Sequence, residues 1–256
     1  TYGFPLELTE EILQEEGCSA DVDGFNDNMQ KQKEMARAGR KSADEEGWKN
    51  AATAVDVPET LFTGYDHLDD EGEVLAIDVD GQLTDSADIY QNATVYLDKT
   101  PFYAEGGGQA SDNGFMSTED CHAKVISVEK SHGVYAHRVL IEKGTLKKGD
   151  RVQCGVNLFK RHATARNHTA THLLQKALRD VIGSHVEQAG SSVNENMLRF
   201  DFTHFEGVTP EQLSQVEELV NQKITEFLPV KTCETSMKEA QEMGAMALFG
   251  EKYGDC

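Results

Sequence analysis

Apolar and polar positions alternate through the middle of the chain. Residues 73–79, 93–97, 123–128, 134–141 and 151–156 each read as a short strand, separated by turn residues such as Asp80-Gly81. Strands at this spacing predict a small barrel or sandwich. On both sides the period lengthens to that of helices. Upstream, Thr9 can cap a short helix that stops at Gly17, and Asp23 precedes a longer one that runs to Gly39. After Phe159 the pattern is helical again, interrupted by one strand in which Leu198, Phe200 and Phe202 alternate with Arg199, Asp201 and Thr203. Thr209-Pro210-Glu211-Gln212 is a capping box with proline at the first helical position and opens a helix to Leu228. Ser236 to Glu239 repeats the box for a third helix ending at Gly244. The period changes near Pro58 and near Phe159. The expected class is therefore α+β, with an acidic helical linker over 1–58, an all-β part over 59–159 and an α/β part over 160–256.

Composition narrows the choice of function. With 38% hydrophobic and 27% charged residues over 256 positions, the chain can bury a core and is neither disordered nor fibrous. A net charge of -21 repels nucleic acid from any broad face, so DNA is not an expected partner and any RNA contact must be local. Residues 1–72 hold 18 acids and 6 bases, whereas Arg138 to Arg166 hold 8 bases against 2 acids, which makes that stretch the candidate basic patch. Cys18, Cys121, Cys154, Cys233 and Cys256 form no CxxC pair, which suits free thiols in a reducing, cytoplasmic setting. No apolar run is long enough for a membrane span and the start lacks a signal-peptide pattern, so no membrane is expected. Thr1, without a methionine, and the abrupt stop at Cys256 read as the ends of a piece cut from something longer.

Two segments can carry chemistry. His168-Thr-Ala-Thr-His172 places two imidazoles four residues apart, one above the other on a helix, where they can share a metal. Ala170, Leu173, Leu174, Ala177, Leu178, Val181 and Ile182 form an apolar stripe, and His168, His172 and Arg179 fall nearly opposite it. The alternative is a pair of ordinary surface residues on a polar face. A metalloprotease helix is excluded because Thr169 stands where a glutamate base is needed. The second segment runs from Thr100 to Gly114. Gly106, Gly107 and Gly108 let a backbone approach a ligand, and Glu105, Gln109 and Asp112 surround them with hydrogen-bonding groups. It matches neither GxGxxG nor GxxxxGK[ST], so it is not a nucleotide loop, and a tight connection between strands is the plainer alternative.

Thr1-Tyr-Gly-Phe-Pro5, Thr100 to Gln109, Arg166 to Leu174 and Ala245 to Asp255 resemble, in order, four motifs of the alanyl-tRNA synthetase family. The resemblance covers nearly the whole chain. It implies a β-barrel of translation-factor type followed by an editing core shared with threonyl-tRNA synthetase and with free-standing editing proteins. The implied reaction is hydrolysis of serine or glycine mischarged onto the acceptor end of tRNA(Ala). By the same resemblance Gln109 is a substrate-recognition residue, with Glu105, Asp112, Gly107 and Gly108 beside it. His168 and His172 would be two zinc (Zn²⁺) ligands, completed by a Cys-x-x-x-His motif expected beyond Asp255, so that zinc binding and hydrolysis in these residues alone would be weak. The motifs supply no side-chain general base. Lys160, Arg161, Arg166 and Arg199 are candidates to meet tRNA phosphates. ATP and alanine ligation would belong to other segments of a parent synthetase. A free-standing deacylase and a non-catalytic tRNA-binding module are the competing readings.

Overall fold

The computed structural model describes residues 55–230 and 235–244, with Leu13 and several positions between 17 and 28. The chain divides into two compact units, 1–54 and 55–256.

In the first unit Gly17 adopts φ 69° and the Cys18 amide donates to the Leu13 carbonyl at 2.8 Å, a glycine-terminated helix end where one was expected. Asp23 lies outside the described residues, and the next helical turn is capped by Asp21. Its carboxylate accepts the Gly24 amide at 2.9 Å, and its carbonyl accepts the Phe25 amide. Thr9, most of the run to Gly39 and residues 245–255 lie outside the described residues.

In chain order the second unit contains β1 (Leu61–Phe62), β2 (Asp69–Val79), β3 (Gln82–Thr84), β4 (Ser86–Asp88), β5 (Asn92–Leu97), β6 (Lys99–Thr100) and β7 (Gly114–Ser117). There follow β8 (His122–Ser131), β9 (Val134–Lys143), β10 (Thr145–Lys147), β11 (Arg151–Val156), α1 (Leu158–Val181), β12 (Gln188–Val193), β13 (Leu198–Phe202), α2 (Pro210–Thr225) and α3 (Met237–Glu242). Six strands close a barrel in the order β2-β5-β9-β8-β7-β11, with β11 returning antiparallel onto β2. Closure leaves no exposed edge in the ring. Inward residues such as Ile77, Val95, Leu97, Val125, Ile141 and Val152 are fully buried, each worth about 1.5–3 kcal/mol of transfer free energy. Register shifts at Val74/Ala76 and Val125/Ser127 bend their strands around the ring. Asp80-Gly81 makes the expected tight hairpin, with φ 54° and 80°, and His132-Gly133 repeats it with 48° and 79°. His137 sits inside the barrel, Nδ1 against the Val95 carbonyl at 2.9 Å and Nε2 against Thr100 Oγ1 at 2.8 Å.

Beyond the barrel, α1 packs with α2 and the β12–β13 hairpin around Ala177, Leu178, Val186 and Val216. Two strands stand where one was expected. β12 reads Gln-Ala-Gly-Ser-Ser-Val, too polar to show an apolar alternation. Both capping boxes form: Thr209 Oγ1 accepts the Gln212 amide while Gln212 Oε1 accepts that of Thr209, and Ser236 and Glu239 do the same. α2 ends at Thr225, three residues before Leu228, because Phe227 turns to φ 49°. Among the described residues no helix is long and apolar enough to cross a membrane.

Candidate functional site

The site assembles from the glycine segment, β12 and the first half of α1. Gly106 and Gln109 exchange backbone hydrogen bonds, 2.9 Å from the Gln109 amide and 3.2 Å from that of Gly106. The two residues between them, Gly107 at φ 57° and Gly108 at φ 76°, make a left-handed turn that glycine enters without strain. The turn is then stitched to β12. Val193 donates to the Gly108 carbonyl at 2.8 Å and accepts from the Ala110 amide at 2.9 Å. A Cβ on Gly108 would lie 2.4 Å from Ser191 Oγ and 2.7 Å from the Ser191 carbonyl oxygen, so the third glycine is a close-approach residue.

This docking carries Gln109 onto α1. His168 Nδ1 lies 2.5 Å from Gln109 Oε1 across 59 positions of sequence. With the amide oxygen as acceptor, Nδ1 holds the proton and Nε2 keeps its lone pair. Partial burial, reinforced by His172, pushes the His168 pKa down and favours that neutral form. His172 is exposed and stacks on His168, with centroids 5.1 Å apart and planes at 19°. Gln109 itself is buried, and its Nε2 has no hydrogen-bond partner among the described residues. Glu105 is exposed, and its amide is anchored on the Val128 carbonyl.

The histidines sit at the margin of the buried face instead of opposite it. Thr164, Thr171 and Gln175 are buried along with Ala177 and Leu178, whereas Ala170 and Leu173 stay outside the core. Thr171 tolerates burial because its hydroxyl donates to the Asn167 carbonyl at 2.8 Å. The core face is thereby rotated toward His168, which half-buries that ring against Gln109. Arg179 is not part of an exposed cluster with them; its Nη1 donates to the Val186 carbonyl at 3.0 Å.

Asp112 and Arg161 pair with each other. The Arg161 Nε donates to both carboxylate oxygens at 3.0 and 2.9 Å, Nη2 also reaches Asp112 Oδ2, and the remaining donors go to the Gly64 and Pro101 carbonyls at 2.7 and 2.8 Å. Asp112 also accepts the Tyr103 amide at 2.7 Å. This nearly buried pair clamps α1 to the barrel. Lys160 pairs with Glu195 at 2.7 Å and Arg199 with Asp201 at 3.0 Å. Arg166, two positions before His168, is exposed and has no ion pair among the described residues. Within the basic stretch from Arg138 to Arg166, Arg151 is also paired, with Glu71 at 2.9 Å, while Lys143, Lys147 and Lys148 are exposed. Sequence reasoning gave no role to Asn167, which lies within the Arg166 to Leu174 motif and whose side chain donates to the Asn194 carbonyl at 2.8 Å, and it did not find Ser191 and Val193, which no motif marks.

A zinc ion bound by protein alone takes three or four ligands. Two imidazoles are present here, and no group of three or more His, Cys, Asp or Glu placed to hold a metal is found among the described residues. These residues therefore do not by themselves fit zinc.

A family model described as tRNA synthetases class II (A) matches residues 1–159, from the first unit through the end of the barrel. The chain belongs to that family. Over its whole length it is similar to alanine--tRNA ligases: 51% identical to that of Alkaliphilus oremlandii, 47% to that of Pelotomaculum thermopropionicum and 44% to that of Bacillus subtilis. It spans 29–30% of the length of these relatives.

Proposed function

We propose that residues 59–256 form an editing site of an alanine--tRNA ligase, which hydrolyses the ester of serine or glycine mischarged onto the acceptor end of tRNA(Ala). Support comes foremost from the Gln109–His168 contact, which joins the glycine turn to the histidine pair at 2.5 Å. In this reading the acceptor end lies along the turn, with Gly107 and Gly108 allowing close approach and Glu105 at its edge. Gln109, its oxygen engaged by His168, presents Nε2 to the serine hydroxyl. A synthetic pocket built for a methyl group cannot strongly reject an added hydroxyl, whereas a pocket that bonds the hydroxyl can reject its absence by about four orders of magnitude. Glycine carries no hydroxyl, and Gln109 gives no handle on it.

His168 Nε2, neutral and with its lone pair free, suits either a proton acceptor or a metal ligand, and His172 stands beside it. Zinc joins this reading with donors supplied in addition to the two histidines. Of the four candidate cations Arg166 is the one left to meet a phosphate, while Asp112 and Arg161 position the turn against α1, and Lys160 and Arg199 contribute through their ion pairs. Ligation of alanine with ATP is assigned to other segments of the parent enzyme.

The test is deacylation of seryl-tRNA(Ala) beside alanyl-tRNA(Ala), by this chain and by the full-length ligase that contains it. Faster loss of serine than of alanine from the full-length enzyme supports editing. Binding of both without hydrolysis makes the segment a tRNA-binding module.

A further inference from the structure

An aromatic cluster on the rim of the barrel stands outside the chemistry described above. Tyr65, on the turn after β1, is 80% exposed. Its ring meets Phe62 edge-on, centroids 5.0 Å apart at 82°. Phe62 stacks on Tyr135 at 5.7 Å and 8° and meets Tyr103 edge-on at 6.2 Å. Lys130 Nζ lies 5.1 Å from the Tyr135 ring centroid.

The turn that presents Tyr65 is braced. Arg161 Nη1 holds the Gly64 carbonyl at 2.7 Å, and the amides of Asp66 and His67 both donate to the Thr63 carbonyl. A Cβ on Gly64 would lie 2.3 Å from the Pro101 carbonyl oxygen and 2.5 Å from the Phe62 ring, so the turn packs flush against its support. A fixed aromatic face turned to solvent forgoes apolar burial without the freedom of a loose loop, which suits a ligand that stacks. The cluster is also connected to the site. The Tyr103 hydroxyl lies 3.4 Å from the Gly106 carbonyl, Gly106 is bonded to Gln109, and Gln109 contacts His168.

Charge points the same way. In a chain of net charge -21, with Lys160, Arg161 and Arg199 each paired with a carboxylate, phosphate attraction is confined to a few exposed cations such as Arg166, and stacking on an aromatic face is a further general means of holding single-stranded RNA. We infer that Tyr65 is a stacking platform for an unpaired nucleobase of the RNA whose terminal ester reaches Gln109 and His168, backed by the Phe62–Tyr135 stack. This rests on the editing reading above.

The probe is a short single-stranded RNA carrying 2-aminopurine at its 3′ end, titrated against the chain. Quenching on binding is expected, with Tyr65→Ala weakening affinity by about 5- to 150-fold and Tyr65→Phe retaining it. Absence of quenching, or a Tyr65→Ala affinity equal to that of the unaltered chain, overturns the proposal. The two readings fail separately. Seryl-tRNA hydrolysis by the full-length ligase with KM unchanged in Tyr65→Ala removes the platform alone. Tyr65-dependent quenching in an enzyme that hydrolyses no seryl-tRNA removes the editing site alone.

Discussion

Replacing Gly108 by alanine isolates the contact on which the site is built, because Gly107 provides a matched control. Both residues have positive φ, 57° and 76°, so an L side chain costs about 1–2 kcal/mol at either one. Gly107 has nothing within 4 Å of its virtual Cβ, and the conformational term is then the whole cost. At Gly108 the new methyl would lie 2.7 Å from the Ser191 carbonyl oxygen, a backbone atom that cannot swing aside. The turn must lift from β12, weakening the hydrogen bonds from Val193 to Gly108 and from Ala110 to Val193. At about 1 kcal/mol each, these bring Gly108→Ala to about 3–4 kcal/mol, against about 1–2 kcal/mol for Gly107→Ala. Urea denaturation followed by circular dichroism measures both variants, and hydrogen exchange at the Val193 and Ala110 amides locates the loss. Equal destabilisation by the two substitutions, with exchange at Val193 unchanged, refutes the docking of the turn on β12.

Acid tests the barrel. Complete burial lowers the His137 pKa from 6.5 to about 4, so the unfolded chain binds the extra proton first as pH falls. This residue's contribution is therefore fully present above about pH 6.5 and declines toward pH 4, by about 3 kcal/mol in all; pH-dependent denaturation should show that slope in the unaltered chain and lose it in His137→Gln. Asp112→Asn leaves the Arg161 guanidinium without its counter-charge and should cost about 3–5 kcal/mol in the same assay; a loss below about 1 kcal/mol contradicts the clamp. Arg161→Lys should also destabilise, because one ammonium cannot serve Asp112, Gly64 and Pro101 together.

Much of the fold was legible because barrel strands alternate and helix ends carry their own chemistry. Five barrel strands, both capping boxes and the Gly17 stop follow from local pattern. The sixth barrel strand, β7, is four residues of Gly-Phe-Met-Ser directly after the glycine segment, too short to show a period, yet the ring cannot close without it. β12 was hidden by its polarity. The helical stripe was displaced for a tertiary reason: α1 buries Thr164, Thr171 and Gln175 along with Ala177 and Leu178, a choice that no periodicity over α1 alone reveals. At the site, His168, His172 and Gln109 were legible as residue types, but their meeting was not, since it depends on Gly108 docking against Ser191. The same blindness hid the fate of the cations. Arg161 and Lys160 look alike in sequence, and only folding shows one clamped by Asp112 and the other tied to Glu195.

Single-turnover hydrolysis of seryl-tRNA(Ala) by the full-length ligase, with and without His168→Ala, tests the editing claim most directly when alanylation is followed alongside. Hydrolysis in the variant is expected to slow by about a hundredfold or more while alanylation is unchanged. Hydrolysis at the unaltered rate in that variant would contradict the claim.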